Sequence, residues 1–82
     1  PQALIAGNAF ILKPSEQVPL SSQRVAELFR EAGLPDGIFN VVNGGRPVVE
    51  AICDHPDIAA VGFVGSTTVA KLVYGRACSN GK

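Results

Sequence analysis

The sequence predicts an α/β fold in which a parallel sheet is covered by helices on both faces. Three observations carry this expectation. Short apolar runs alternate with amphipathic stretches in the order strand, helix, strand, helix, strand, helix. The strand starts lie on the order of 20–30 residues apart, close to the size of βαβ units. The runs are continuously apolar rather than alternating, as expected of strands buried on both faces. Crossovers between such parallel strands are right-handed by rule.

The elements run in order along the chain. Pro1 to Ala6 reads as the end of an earlier helix. Asn8 to Lys13, N-A-F-I-L-K, is an apolar run with Gly7 before it and Pro14 after it, which suits a buried strand. Pro14 and Pro19 bracket the loop P-S-E-Q-V-P, and Pro19 fits the first turn of a helix. Leu20, Val25, Leu28, Phe29 and Ala32 form the apolar stripe of that helix, and Gly33 followed by Pro35 stops it. A second strand is expected at Ile38 to Val42, broken by Asn43-Gly44-Gly45. Pro47 opens a second helix with Val48, Val49, Ala51 and Ile52 on its apolar side. His55-Pro56 ends it, because a residue before proline avoids helical geometry. A third strand is expected at Ala60 to Val64, and Gly65-Ser66 form the next turn. The last helix is expected from Thr67 to Ala77, with Val69, Leu72, Val73 and Ala77 facing inward.

Composition narrows the function classes. Hydrophobic residues make up 46% and charged residues 17%, a globular balance that excludes disorder. Seven Lys and Arg against seven Asp and Glu leave no basic excess for nucleic acid. No apolar run approaches the length of a membrane span. Cys53 and Cys78 have no metal-ligand spacing, and the expectation is two free thiols in a reducing compartment. With 82 residues, a Pro start and no Met, the chain is expected to be an internal piece of a larger protein. A domain this small buries only about 60–65% of its unfolded surface and is marginal alone.

Ligands of open α/β sheets bind beyond the carboxyl ends of the strands. Three segments fall there: Lys13-Pro14-Ser15-Glu16, Asn43-Gly44-Gly45 and Gly65-Ser66-Thr67. Ser66 is expected at a helix N-cap, where free N–H groups can receive a phosphate; an ordinary capping serine fits the same pattern. Glu16 could accept hydrogen bonds from ribose hydroxyls with Lys13 beside it, or both could belong to a solvated loop. No G-x-G-x-x-G fingerprint is present. Cys53-Asp54-His55 suggests a nucleophile and base, but sequence neighbours rarely face each other, so core and cap roles are expected instead.

Three runs carry a family resemblance: A-G-N-A-F-I-L-K-P-S-E, A-G-L-P-D-G-I-F-N-V-V-N-G-G and H-P-D-I-A-A-V-G-F-V-G-S-T. In order and spacing they resemble the aldehyde dehydrogenase superfamily, across essentially the whole chain. The resemblance implies a Rossmann-like cofactor domain, of which residues 1–82 would be part, with NAD as cofactor. It places Lys13 and Glu16 at the adenosine ribose, Glu16 favouring NAD over NADP by repelling a 2′-phosphate, and counts Ser15 between them among the cofactor-binding residues. It places Ser66 at the pyrophosphate, Phe63 and Gly65 in the same turn, and Gly45 (or Gly44) towards the adenine. Val64 in place of the commoner Thr, the C-D-H-P-D-I run, Val73-Tyr74 and the N-G-K ending resemble the CoA-acylating methylmalonate-semialdehyde branch. Succinate-semialdehyde and betaine-aldehyde enzymes share most of the framework. The family's catalytic Cys, oxyanion Asn and general-base Glu correspond to no position here, so no catalytic or metal-binding residue is assigned. Further implied are an aldehyde and, in the acylating branch, CoA as partners, a homo-oligomer (dimer or tetramer), and a cytoplasmic or, in a eukaryote, mitochondrial-matrix location.

Overall fold

The computed structural model describes residues 1–82, which form two compact units, Pro1–Gly44 and Gly45–Lys82. The first unit contains α1 (Gln2–Ile5), β1 (Phe10–Leu12), α2 (Pro19–Glu31) and β2 (Phe39–Val41). The second contains α3 (Arg46–Asp54) and α4 (Thr67–Ser79).

In the first unit, β1 and β2 pair in parallel with Phe10 opposite Phe39, Ile11 opposite Asn40 and Leu12 opposite Val41. The ladder is flanked by Phe10 N–H to Ile38 O (2.8 Å) and Val42 N–H to Leu12 O (2.9 Å). Helix α2 is the crossover, so the unit is a βαβ element, as the apolar runs predict. Both strands are shorter than expected, Phe10–Leu12 and Phe39–Val41 against Asn8 to Lys13 and Ile38 to Val42. Pro19 occupies the first turn of α2, where its missing N–H costs nothing. The helix stops at Gly33, whose φ of 96° permits the paired closing bonds Gly33 N–H to Arg30 O (3.0 Å) and Leu34 N–H to Phe29 O (3.1 Å). Packing is aromatic. Phe39 stacks on Phe10 at 6.0 Å and meets Phe29 of α2 at 5.1 Å with a 47° tilt, contacts worth about 0.5–1.5 kcal/mol each beyond burial. Of the expected stripe of α2, Leu20, Val25 and Leu28 are exposed, so Phe29 is what binds the helix to the sheet.

The second unit departs from expectation. Ala60–Val64 forms no strand. Residues 59 to 65 make no backbone–backbone hydrogen bond, and Val64 is fully exposed. A strand exists only as a member of a ladder, and within these 82 residues the run makes no ladder bond. Its core is small: Cys53 of α3 packs with Val73 and Ala77 of α4, with Val49 and Val61 leaning on them. Val69 and Leu72, expected to face inward, are 40% and 61% exposed. The inner side of α4 is thus the narrow Val73–Ala77 line, residues four apart on one face.

Charges connect the two helices. Arg76 makes a two-pronged pair with Asp54 (Nε to Oδ1 2.8 Å, Nη2 to Oδ2 2.7 Å) and reaches Glu50 at 3.2 Å, which in turn binds Arg46 at 2.7 Å. Hydrogen bonds from Arg76 hold the Asp54 carboxyl below its usual range, and those from Arg46 do the same for Glu50; partial burial opposes both shifts. The Arg76 guanidinium is pushed further up, first by its hydrogen bonds to Asp54.

Candidate functional site

The expected cofactor residues divide between the two units. In the first, Lys13 and Glu16 lie just past the carboxyl end of β1. The Lys13 ammonium donates to Pro14 O (2.6 Å) and pairs with Glu16 Oε1 at 3.4 Å. The Lys13 side chain is 14% exposed and that of Glu16 60% exposed, so the stem is packed while the carboxylate faces outward. The loop is shaped locally. Ser15 Oγ accepts from Gln17 N–H (3.3 Å), Ser15 O accepts from Val18 N–H (3.2 Å), and Pro14 is buried beneath. The ion pair is a contact within the loop, and it leaves the Glu16 carboxylate open to solvent past the end of β1. The unit's 220 Å³ cleft is lined by residues such as Phe29, Leu34 and Phe39, and not by Lys13 or Glu16.

In the second unit, Ser66 is the N-cap of α4. Its Oγ accepts from Val69 N–H (3.4 Å) and its carbonyl from Ala70 N–H (2.9 Å). That leaves the N–H groups of Thr67 and Thr68 without protein acceptors, pointing along the positive end of the helix. The turn before it has a steric rule of its own. A Cβ built on Gly65 would lie 2.7 Å from Phe63 Cζ, so the Phe63 ring rests on the space glycine leaves open. Phe63 and Gly65 shape this turn together. Along α4 runs a cleft of about 480 Å³ whose lining includes Val61, Phe63, Thr67, Ala70, Val73 and Tyr74. Gly45 is the N-cap of α3, its carbonyl accepting from Val48 and Val49 N–H at 3.1 and 3.3 Å.

The Cys53-Asp54-His55 run assembles no nucleophile and base. Cys53 is fully buried, Asp54 is engaged by Arg76, and His55 Nδ1 accepts from Asp57 N–H at 3.2 Å. Both cysteines are free, Cys78 being exposed. Sequence reasoning missed the cluster joining the ends of α3 and α4: Asp54, Arg76, Asn80 and Lys82. Only the adjoining Arg46–Glu50 pair carries a local signal, opposite charges four apart. The contacts of Asp54 with Arg76 and Asn80, and of Lys82 with the His55 carbonyl, span more than twenty residues.

The aldehyde dehydrogenase family model matches residues 1–82. The chain belongs to the aldehyde dehydrogenase family. A malonate-semialdehyde dehydrogenase of Lacticaseibacillus casei is 62% identical over 76 residues, 93% of this chain and 15% of that protein. A Sinorhizobium meliloti protein described as methylmalonate-semialdehyde dehydrogenase, crystallised with NAD, is 64% identical with a TM-score of 0.96, covering 98% of this chain and 16% of that one. The methylmalonate-semialdehyde dehydrogenase of Oceanimonas doudoroffii is 50% identical with a TM-score of 0.98, covering 100% of this chain and 17% of that one. The chain thus spans about a sixth of the length of these relatives. The α/β class expected from the alternation stands, as does the Rossmann-like class that the resemblance implies.

Proposed function

We propose that this chain is part of the single NAD-binding domain of an aldehyde dehydrogenase that oxidises malonate or methylmalonate semialdehyde and passes the acyl group to CoA. The observation that carries the reading is the 64% identity, over 98% of the chain, to a protein crystallised with NAD. The residues present suit that cofactor. The exposed Glu16 carboxylate would accept from the adenosine ribose hydroxyls, and it disfavours a 2′-phosphate by charge. Lys13 would lie along the same ribose, with Ser15 holding the loop. Ser66 Oγ and the open N–H groups of Thr67 and Thr68 would receive the pyrophosphate. Phe63 and Gly65 would set the approach to that turn, and Gly45 would allow close approach towards the adenine.

When bound, NAD accepts the hydride removed from the substrate. The residues of this chain bind and orient it, and none is assigned to the attack on the aldehyde. In the intact enzyme, Glu16→Gln is expected to raise KM for NAD about 10- to 100-fold, the loss of a charge-assisted hydrogen bond worth roughly 1.5–3 kcal/mol. It should also narrow the preference over NADP; steady-state kinetics with both cofactors read this. An unchanged KM would remove Glu16 from the site.

The exposed Leu72 and Tyr74 of α4 favour a second role for the same chain, a contact between copies in a homo-oligomer. Sedimentation of the intact enzyme as a dimer or tetramer, reduced to a smaller species by Leu72→Glu, is the expected result. A monomeric wild type would remove this role.

A further inference from the structure

Helices α3 and α4 join through the C-terminal half of each. Cys53 packs with Val73 and Ala77, and Val49 leans on them. The order of the polar partners gives the relative direction. Glu50 reaches Arg76 at 3.2 Å; Asp54, one turn later in α3, meets both Arg76 and, one turn later in α4, Asn80 Nδ2 at 3.2 Å. Partners advance together, so the two helices run side by side in the same sense. Lys82, past the end of α4, donates to His55 O, past the end of α3, at 2.6 Å. The C-terminal ends thus lie together, and the N-terminal ends point the same way.

Those N-terminal ends are the caps Gly45 and Ser66. Each lies about 14–15 Å along its helix from the Asp54–Arg76 joint, at a rise of about 1.5 Å per residue. Small rotations at the joint are therefore amplified. A tilt of about 5° there moves an end about 15 Å away by about 1.3 Å. That exceeds the roughly 0.5 Å within which a binding constellation must be held.

Arg76 is the side chain suited to fix that angle. A contact at one point lets two rods pivot, whereas contacts at two points along a rod fix its direction. The guanidinium makes both: two prongs on Asp54, at 2.8 and 2.7 Å, and an ion pair with Glu50 one turn earlier. Its planar fork permits this division, which the point charge of an ammonium does not. We infer that Arg76 is a positioning residue for the dinucleotide site: by gripping Asp54 and Glu50 it sets the angle between α3 and α4, and with it the spacing of the Gly45 and Ser66 turns. This rests on the proposed places of those turns towards the adenine and at the pyrophosphate. Arg76 acts from the opposite end of the helix and touches no cofactor.

The test uses the intact enzyme with Arg76→Gln, Arg76→Lys, Asp54→Asn, the double variant Asp54→Asn with Arg76→Gln, and Ser66→Ala. Arg76→Gln is expected to raise KM for NAD about 3- to 5-fold, with kcat changing less than about twofold. The ceiling is set by the pair itself, since a partly exposed ion pair shifts a balance of conformations no further than it contributes. Arg76→Lys should recover part of the loss, and the double variant should have a KM no higher than Arg76→Gln alone, because both changes open one joint. Single-variant effects that multiply in the double would overturn the proposal. So would a lower melting temperature with KM for NAD unmoved, which leaves Arg76 a purely structural role. If Ser66→Ala raises KM and Arg76→Gln does not, the inference fails while the reading of Ser66 survives. If neither raises it, the Ser66 reading fails and takes the inference with it. A rise in Arg76→Gln alone also overturns it, since the joint would then act through some other part of the enzyme. Should Arg76→Gln not fold, Arg76→Lys and Asp54→Asn are each expected to give an intermediate KM, and wild-type values in both would sink the proposal.

Discussion

The two units start from similar patterns and reach different structures. In Pro1–Gly44, two apolar runs flank a helix and pair into a parallel ladder. In Gly45–Lys82, one apolar run between two helices stays unpaired, though A-V-G-F-V reads as strand as well as F-I-L does. β-propensity describes a surface that fits into a sheet; it does not supply the neighbour. The candidate ligand groups inherit this difference. Lys13 and Glu16 hang from a strand anchored on β2, whereas Ser66 hangs from a helix whose far end is clamped by Lys82, Asn80 and Arg76.

Variants in each unit test this difference. The greatest loss is expected of Phe39→Ala, which removes the ring that joins β1, β2 and α2. It should cost about 3 kcal/mol, the lower end for Phe truncation because the site is only half-buried. Phe63→Ala in the unpaired segment should cost less than about 1 kcal/mol if the ring rests mainly on Gly65, since it is 40% exposed. Urea unfolding of the intact protein measures both, and equal costs would mean that segment 59–65 is anchored as firmly as β2.

Acid should do least. The folded-state value of Asp54 is depressed below its usual 3.8, first by hydrogen bonds from Arg76. Its contribution to stability is therefore complete above the unfolded value and is lost as pH falls through the lower folded one. The gap in urea midpoint between wild type and Asp54→Asn should be present at neutral pH and shrink below about pH 4. The gap itself should be small, because the side chains of Arg76 and Asp54 are 41% and 45% exposed and screened by solvent. A gap that persists unchanged into acid would mean that Asp54 acts through packing rather than charge.

Much of the fold is legible along the chain. Pro19, Gly33, Pro47 and His55-Pro56 punctuate the helices within one or two residues, because these residues act through local backbone geometry. The cap role of Ser66 and the closeness of Lys13 to Glu16 are legible for the same reason, since their partners lie three residues away. Three runs in register are enough to read the family. The clamp at Asp54, Arg76, Asn80 and Lys82 is not legible, since sequence pattern does not report contacts across more than twenty residues. Nor is the inner line of α4. Val69, Leu72, Val73 and Ala77 are all apolar, and only the partner helix makes Val73 and Ala77 face Cys53.

Local chain chemistry thus sets where helices start and stop, which residues sit at strand ends, and the family to which the chain belongs. Those features rest on dihedral restriction, capping and motifs read at short range. Folding alone settles which apolar run becomes a strand, which side of α4 is buried, and what the Lys82 ammonium holds. Each of these depends on a partner brought close in space, and neither a ladder hydrogen bond nor a charge-assisted one exists until that partner arrives.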